Sequence, residues 1–197
     1  QYQATDKWFL SFGREFLQWG PSFLFAPSNP FFADNGKSRP DQEGDGKEFA
    51  KVLWIPDISW TCSIIVNTGN GRSSDAGFNK TYALKTDYSG DSAYASIIFS
   101  HLEGDNHIER IGLFGGLTAT DAMILYGEAS FKKGSDVLYP IADNSPLNYA
   151  MNSVEQDDHS IYSAFLLGGT YTFESGSSMT FEYLYNQMGY NDKEASD

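Results

Sequence analysis

Residues 108–131 read IERIGLFGGLTATDAMILYGEASF, and a skip of one exposes an apolar row of Ile111, Leu113, Gly115 and Leu117. After a break at Thr118 to Thr120 the row resumes with Met123, Leu125, Gly127, Ala129 and Phe131. The interleaved row is mixed: Arg110, Gly112 and Phe114, then Ile124, Tyr126, Glu128 and Ser130. Successive side chains of a strand point to opposite faces, so this two-residue period predicts strands with one greasy face. The same alternation, cut by turn clusters, predicts nine strands at roughly 7–19, 47–55, 58–68, 78–88, 91–102, 106–117, 121–132, 159–173 and 177–189.

The connections alternate in length. Long polar segments near 20–47, 69–77, 133–158 and 190–197 are separated by short turns containing PD, SGD, TATD and ESGS; the short EGD is the exception. An up-and-down meander sends successive connections to opposite ends of the sheet, so one end should carry tight turns and the other long loops. Outer-membrane barrels are built this way, and a soluble up-and-down barrel can show a weaker version. The expected fold is therefore an all-β, antiparallel, up-and-down transmembrane barrel. It forms a single domain over residues 1–197 or a nine-strand part of a larger barrel, because a bacterial single-chain barrel has an even strand count.

The rows refine this picture. In SMTFEYLYNQMGY, Met179, Phe181, Tyr183 and Tyr185 oppose Thr180, Glu182, Leu184 and Asn186; in SAYASIIFSHL, Ala93, Ala95, Ile97 and Phe99 oppose Tyr94, Ser96, Ile98 and Ser100. The polar rows lack the Lys and Glu pairs of a solvated sheet surface and suit a watery lumen. Alternation by itself leaves open which face is outside. Trp8, Trp19, Trp54, Trp60, Tyr88, Tyr126 and Tyr190 fall near strand ends, where interface girdles are found.

Composition changes the picture by exclusion. Aromatic residues at 16%, with 19 glycines, favour strands and turns over helices. A net charge of -13 offers no footprint for nucleic acid. The single cysteine, Cys62, rules out an intrachain disulfide framework and a cysteine zinc cluster. No run of 18 apolar residues and no leader pattern occurs, so an exported form would already have lost its signal; neither point bears on a barrel.

Two stretches, FLSFGREFLQWGPSFLFAPSNPFF (9–32) and VLWIPDISWTCSIIVNTGNGR, resemble Gram-negative outer-membrane porin-like barrels. The likeness is carried by Gly13, Arg14, Trp19, Gly20, Pro27, Asn29, Pro30, Pro56, Asp57 and Gly69 to Arg72, with GGTYTFESGSSMTFEYLYNQMGY similar to consecutive strands of such barrels. The resemblance covers about half the chain. It implies a barrel in the bacterial outer membrane and points more to architecture than to substrate.

Candidate chemistry is sparse. DQEGDGKE resembles the start of a calcium loop through Asp41, Glu43 and Asp45, but Val52 occupies the place of the twelfth-position acid, so a solvated acidic loop is the plainer reading and no metal site is expected. Asp143, Glu155, Asp157, Asp158, Asp192 and Glu194 are compatible with divalent-ion contacts to lipopolysaccharide. No Gly-x-Ser-x-Gly elbow occurs, and His101, His107 and His159 form no triad pattern, so no catalytic residues, no enzyme activity and no cofactor are expected. Arg14, Arg110, Glu128 and Glu182 are charges inside alternating strands, costly against lipid near the midplane, and are expected to face a lumen. They would either filter solutes or pair across strands to hold a filled barrel together.

The function expected is passage of small polar solutes or ions through an outer-membrane pore, with lipid, lipopolysaccharide, solutes and other barrel subunits or a membrane complex as partners. A non-conducting barrel scaffold for a membrane-complex partner, or a secreted carbohydrate-binding β-sandwich, would also satisfy the pattern.

Overall fold

The computed structural model describes residues 2–32, 46–69, 80–103, 108–134, 139–142, 149–152 and 160–187. Each of the nine expected strands is present: β2 (Trp8–Glu15), β3 (Lys47–Trp54), β4 (Trp60–Gly69), β5 (Thr81–Ser89), β6 (Ala93–Leu102), β7 (Ile108–Thr120), β8 (Met123–Lys133), β11 (Ile161–Thr172) and β12 (Ser178–Asn186). A short β1 (Tyr2–Thr5) pairs with β2 and raises the count to ten. β9 (Tyr139–Ala142) and β10 (Tyr149–Asn152) form a separate two-stranded sheet within a segment expected to be loop. No helix occurs among the described residues.

The main sheet runs β1-β2-β3-β4-β5-β6-β7-β8-β11-β12, with every pair antiparallel. It is an up-and-down meander, as the connection lengths required. It is not closed into a barrel: β1 and β12 are its two edges. At one end lie the tight turns at 6–7, 55–59, 90–92, 121–122 and 173–177; at the other lie the longer connections. The turns are built locally. Asp57 accepts bonds from the Ser59 and Trp60 amides (2.8 and 3.1 Å), and Lys7 Nζ donates to the Pro56 carbonyl at 2.6 Å.

The apolar row of 111–131 lies on the uncovered face. Ile111, Leu113, Leu117, Met123, Leu125 and Phe131 are each 36–46% exposed. Ile64, Leu84, Phe99, Phe165, Leu167, Phe181 and Tyr183 are also exposed on that face. The charged or titratable side chains of the outer row, Arg14, Glu48, His101, Glu109 and Lys133, are all near the long-connection end, with Arg14 opposite Glu48 and His101 opposite Glu109. At the tight-turn end stand Trp8 stacked on Trp54 (5.8 Å between centroids) and Trp60 against Tyr88 (5.1 Å). Between these two borders the outer face carries no charge among the described residues.

The other face is covered by the chain itself. Predicted strand 7–19 stops at Glu15, and residues 16–32 turn inward across the sheet. Leu17 and Phe31 from this segment pack with Phe49, Ile65, Ala83 and Ile98 from β3 to β6. Phe31 meets Trp19 and Phe49 edge-on at 5.4 and 5.0 Å. The segment is shortened by internal turns: Ser22 Oγ donates to the Phe25 carbonyl, and the Asn29 amide donates to the Ala26 carbonyl at 3.0 Å. So compact a segment touches strands from β3 to β12 only because the sheet curls around it. The result is an inverted distribution, with the interior side holding buried Ser63, Asn67, Ser96, Glu128, Ser130 and Lys132 while large apolar side chains face outward.

Candidate functional site

The inward segment and the charged wall facing it form the candidate site. Glu128, on β8, is 4% exposed. Its Oε1 accepts the Ser22 amide at 3.0 Å, and its Oε2 accepts Ser28 Oγ at 2.7 Å and the Ser28 amide at 3.5 Å. Glu182, on β12, accepts the Phe23 and Leu24 amides at 2.5 and 3.4 Å and the Tyr126 hydroxyl at 2.7 Å. Two carboxylates thus collect the successive amide donors that the turn at 22–25 points at them, in the way a backbone nest holds an anion.

The carbonyl end of the segment is held by cations. Arg110 Nη1 donates to the Asn29 carbonyl at 3.1 Å, and Lys47 Nζ donates to the Phe31 carbonyl at 2.8 Å while lying 5.0 Å over the Phe32 ring. Asn29 fixes the bend from within: Nδ2 donates to the Leu17 carbonyl at 2.7 Å, and Oδ1 accepts the Phe31 and Phe32 amides at 3.0 and 3.3 Å. Gly20 has φ +84°, and a Cβ there would overlap the Glu128 carboxylate. Gly20, Asn29 and the prolines beside Asn29 therefore shape a chain that enters the concave face and turns within it.

Of the four charges expected to face a lumen, three lie together on the covered face of the sheet. Arg110, Glu128 and Glu182 meet the backbone of the inward segment, not one another. Arg14 does not join them: it is exposed, shares its row with Trp8, Leu10 and Phe12, and lies opposite Glu48. Arg14 is the last residue but one of β2, at the long-connection end of the sheet.

Two of the expected girdle aromatics also face inward, Trp19 among the core residues and Tyr126 on Glu182. Tyr190 and the calcium-loop residues Asp41, Glu43 and Asp45 lie outside the described residues, as do Asp143, Glu155, Asp157, Asp158, Asp192 and Glu194. Among the described residues no group of three His, Cys, Asp or Glu could hold a metal ion.

A second charged array, spread over β2, β3, β5 and β6, escaped the sequence reading. Lys51 pairs with Glu15, and Lys85 pairs with Asp87, which also accepts from Ser96 Oγ. Lys85 Nζ sits 5.4 Å from the centroids of both Trp19 and Phe114. The cavities beside this array measure about 320 and 390 Å³ and share Trp19, Lys85 and Asp87. A further cavity of about 360 Å³ lies between the inward segment and β11 and β12, lined by Pro27, Pro30, Phe32, Ala164 and Leu184 among others. The inward segment therefore divides the concave face into a charged side and a more apolar side.

No family model, curated protein or solved structure matches this chain.

Proposed function

We propose that this protein is an outer-membrane porin-like channel for small polar solutes or ions, with its bore narrowed by residues 16–32. The observation that carries the reading is the inversion of the sheet: apolar side chains crowd the uncovered face, while serines, carboxylates and lysines are turned toward the covered one. A soluble sandwich buries its apolar rows, so exposed large apolar side chains on every strand of the main sheet fit a lipid solvent better than water. The dimensions agree. Ten-residue strands such as β4 and β6 rise about 33 Å and, tilted by about 40°, cover a band of about 25 Å. A tryptophan-rich border at the tight-turn end and a charged border at the other match the two interfaces of such a band.

This reading entails that the edges at β1 and β12 are paired in the membrane, by closure or by further strands, since unpaired backbone groups in lipid cost several kcal/mol each. Planar-bilayer recording of the full chain tests it. Discrete conductance steps, larger when Glu128→Gln and Glu182→Gln loosen the inward segment, are the expected result. Stable insertion without conductance in either form would favour the non-conducting scaffold, which the gripped interior segment also suits. Full solubility without detergent would overturn both membrane readings.

A further inference from the structure

The charged side of the divided interior has a chemistry of its own. Its wall is formed by Ser11, Glu15, Lys51, Ser63, Lys85 and Asp87, with Trp19 of the inward segment standing between the two compartments. Gln18, Thr61, Tyr94 and Ser96 add hydroxyl and amide groups on the far side of Trp19. Two cations and two anions are engaged in pairs, so the wall has no net charge with which to favour an ion of either sign. Each paired group still has capacity to spare, because an ammonium carries three donors and a carboxylate about four lone-pair sites.

We propose that this compartment is a binding subsite for a neutral polyhydroxylated solute of mono- or disaccharide size. The inference rests on the channel reading and names the solute class that the channel would take. A sugar hydroxyl donates to Asp87 or Glu15 and accepts from Lys85 or Lys51 at once, so it adds to the ion pairs without breaking them. An inorganic ion or a zwitterion must instead compete with a partner already in place. The Trp19 indole, which lines both cavities, gives the apolar C–H groups of a pyranose a partner. Volumes of about 320 and 390 Å³ fall within the range of small-ligand pockets, about 300–1,000 Å³.

The test is isothermal titration calorimetry of the detergent-solubilised full chain, with maltose as the probe and glycine and sodium chloride as the alternatives. A saturable response to maltose alone is expected. It should weaken by about tenfold in Trp19→Phe, equivalent to about 1.4 kcal/mol, and to a similar degree in the double variant Lys85→Met with Asp87→Asn, which removes both charges together. Circular dichroism confirms that each variant is folded, and the wild-type titration decides the matter even where a variant is not. Absence of a saturable maltose response in folded wild type, a response to glycine or salt in its place, or undiminished affinity in both folded variants would overturn the subsite. Binding is read without a membrane, so a chain that conducts but does not bind maltose loses only the subsite, and one that binds but does not conduct loses only the channel.

Discussion

Glu128→Gln is the sharpest single perturbation of the interior. The side chain keeps its length, but a carboxylate accepting from Ser22 and twice from Ser28 becomes an amide with one acceptor and one donor. The amide nitrogen must then face either the Ser22 N–H, donor against donor, or Ser28, where the hydroxyl can turn to accept from it but the Ser28 N–H loses its acceptor, in a site 4% exposed. A hydrogen bond to a charged group contributes about 1.5–3 kcal/mol, and a buried donor left unsatisfied costs about 1–3 kcal/mol. With the charge lost from the bonds to Ser22 and the Ser28 hydroxyl and the Ser28 N–H left without its acceptor, the net penalty is about 2–3 kcal/mol. That penalty falls on the docking of residues 20–28 and not on the strand ladder, because β8 keeps its pairing to β7 and β11.

Amide hydrogen exchange separates the two effects. Local opening should speed exchange at Ser22 and Ser28 by about 30- to 150-fold, at about 1.4 kcal/mol per decade. Exchange at Leu166 and Leu113 in the ladder should stay within about twofold. Unchanged exchange at Ser22 and Ser28 would refute the clamp. Equal acceleration across the ladder would show that Glu128 supports the whole sheet and not the segment.

Other outcomes follow from the same geometry. Gly112→Ala places a methyl group against the Ser28 carbonyl, a backbone atom that cannot step aside, and should loosen the same segment from the opposite side, read as faster Ser28 exchange. Tyr126→Phe removes the hydroxyl that Glu182 accepts and should lower stability by about 1.5–3 kcal/mol in denaturant unfolding. The exchanged pair Arg14→Glu with Glu48→Arg should shift stability by less than about 1 kcal/mol, since both residues sit on the exposed face at a strand end. In single-tryptophan forms reconstituted with brominated lipid, Trp60 should be quenched and Trp19 spared; equal quenching of both would contradict an outer face in lipid.

The strands were legible because a two-residue period needs no tertiary information, and the register of β7 on β8 sets Leu113 against Ala129 and Glu128 beside Phe114, one face apolar and the other mixed. The tight turns were legible for a similar reason, since Asp57 closes its turn on its own neighbours. Residues 16–32 were not. FLQWGPSFLF continues the apolar character of β2, and what stops the strand at Glu15 is a set of partners 100 or more residues distant, Glu128 and Glu182 among them. Arg14 was misplaced for want of depth: alternation assigns a row but not a height along the strand. β1 was missed because four residues are too few to show a period.

The grip of Glu182 on the Phe23 amide joins residues 159 positions apart, while the Phe31 carbonyl is held by Lys47 only 16 positions on. Contacts so far apart in the chain are slow to form, because loop closure must precede them. The inward segment thus precedes in the chain the strands β8 and β12 that fasten it. A nascent chain lacking β12 would leave Phe23 and Leu24 without their acceptor, so β12 acts as the step that commits the interior to its finished shape.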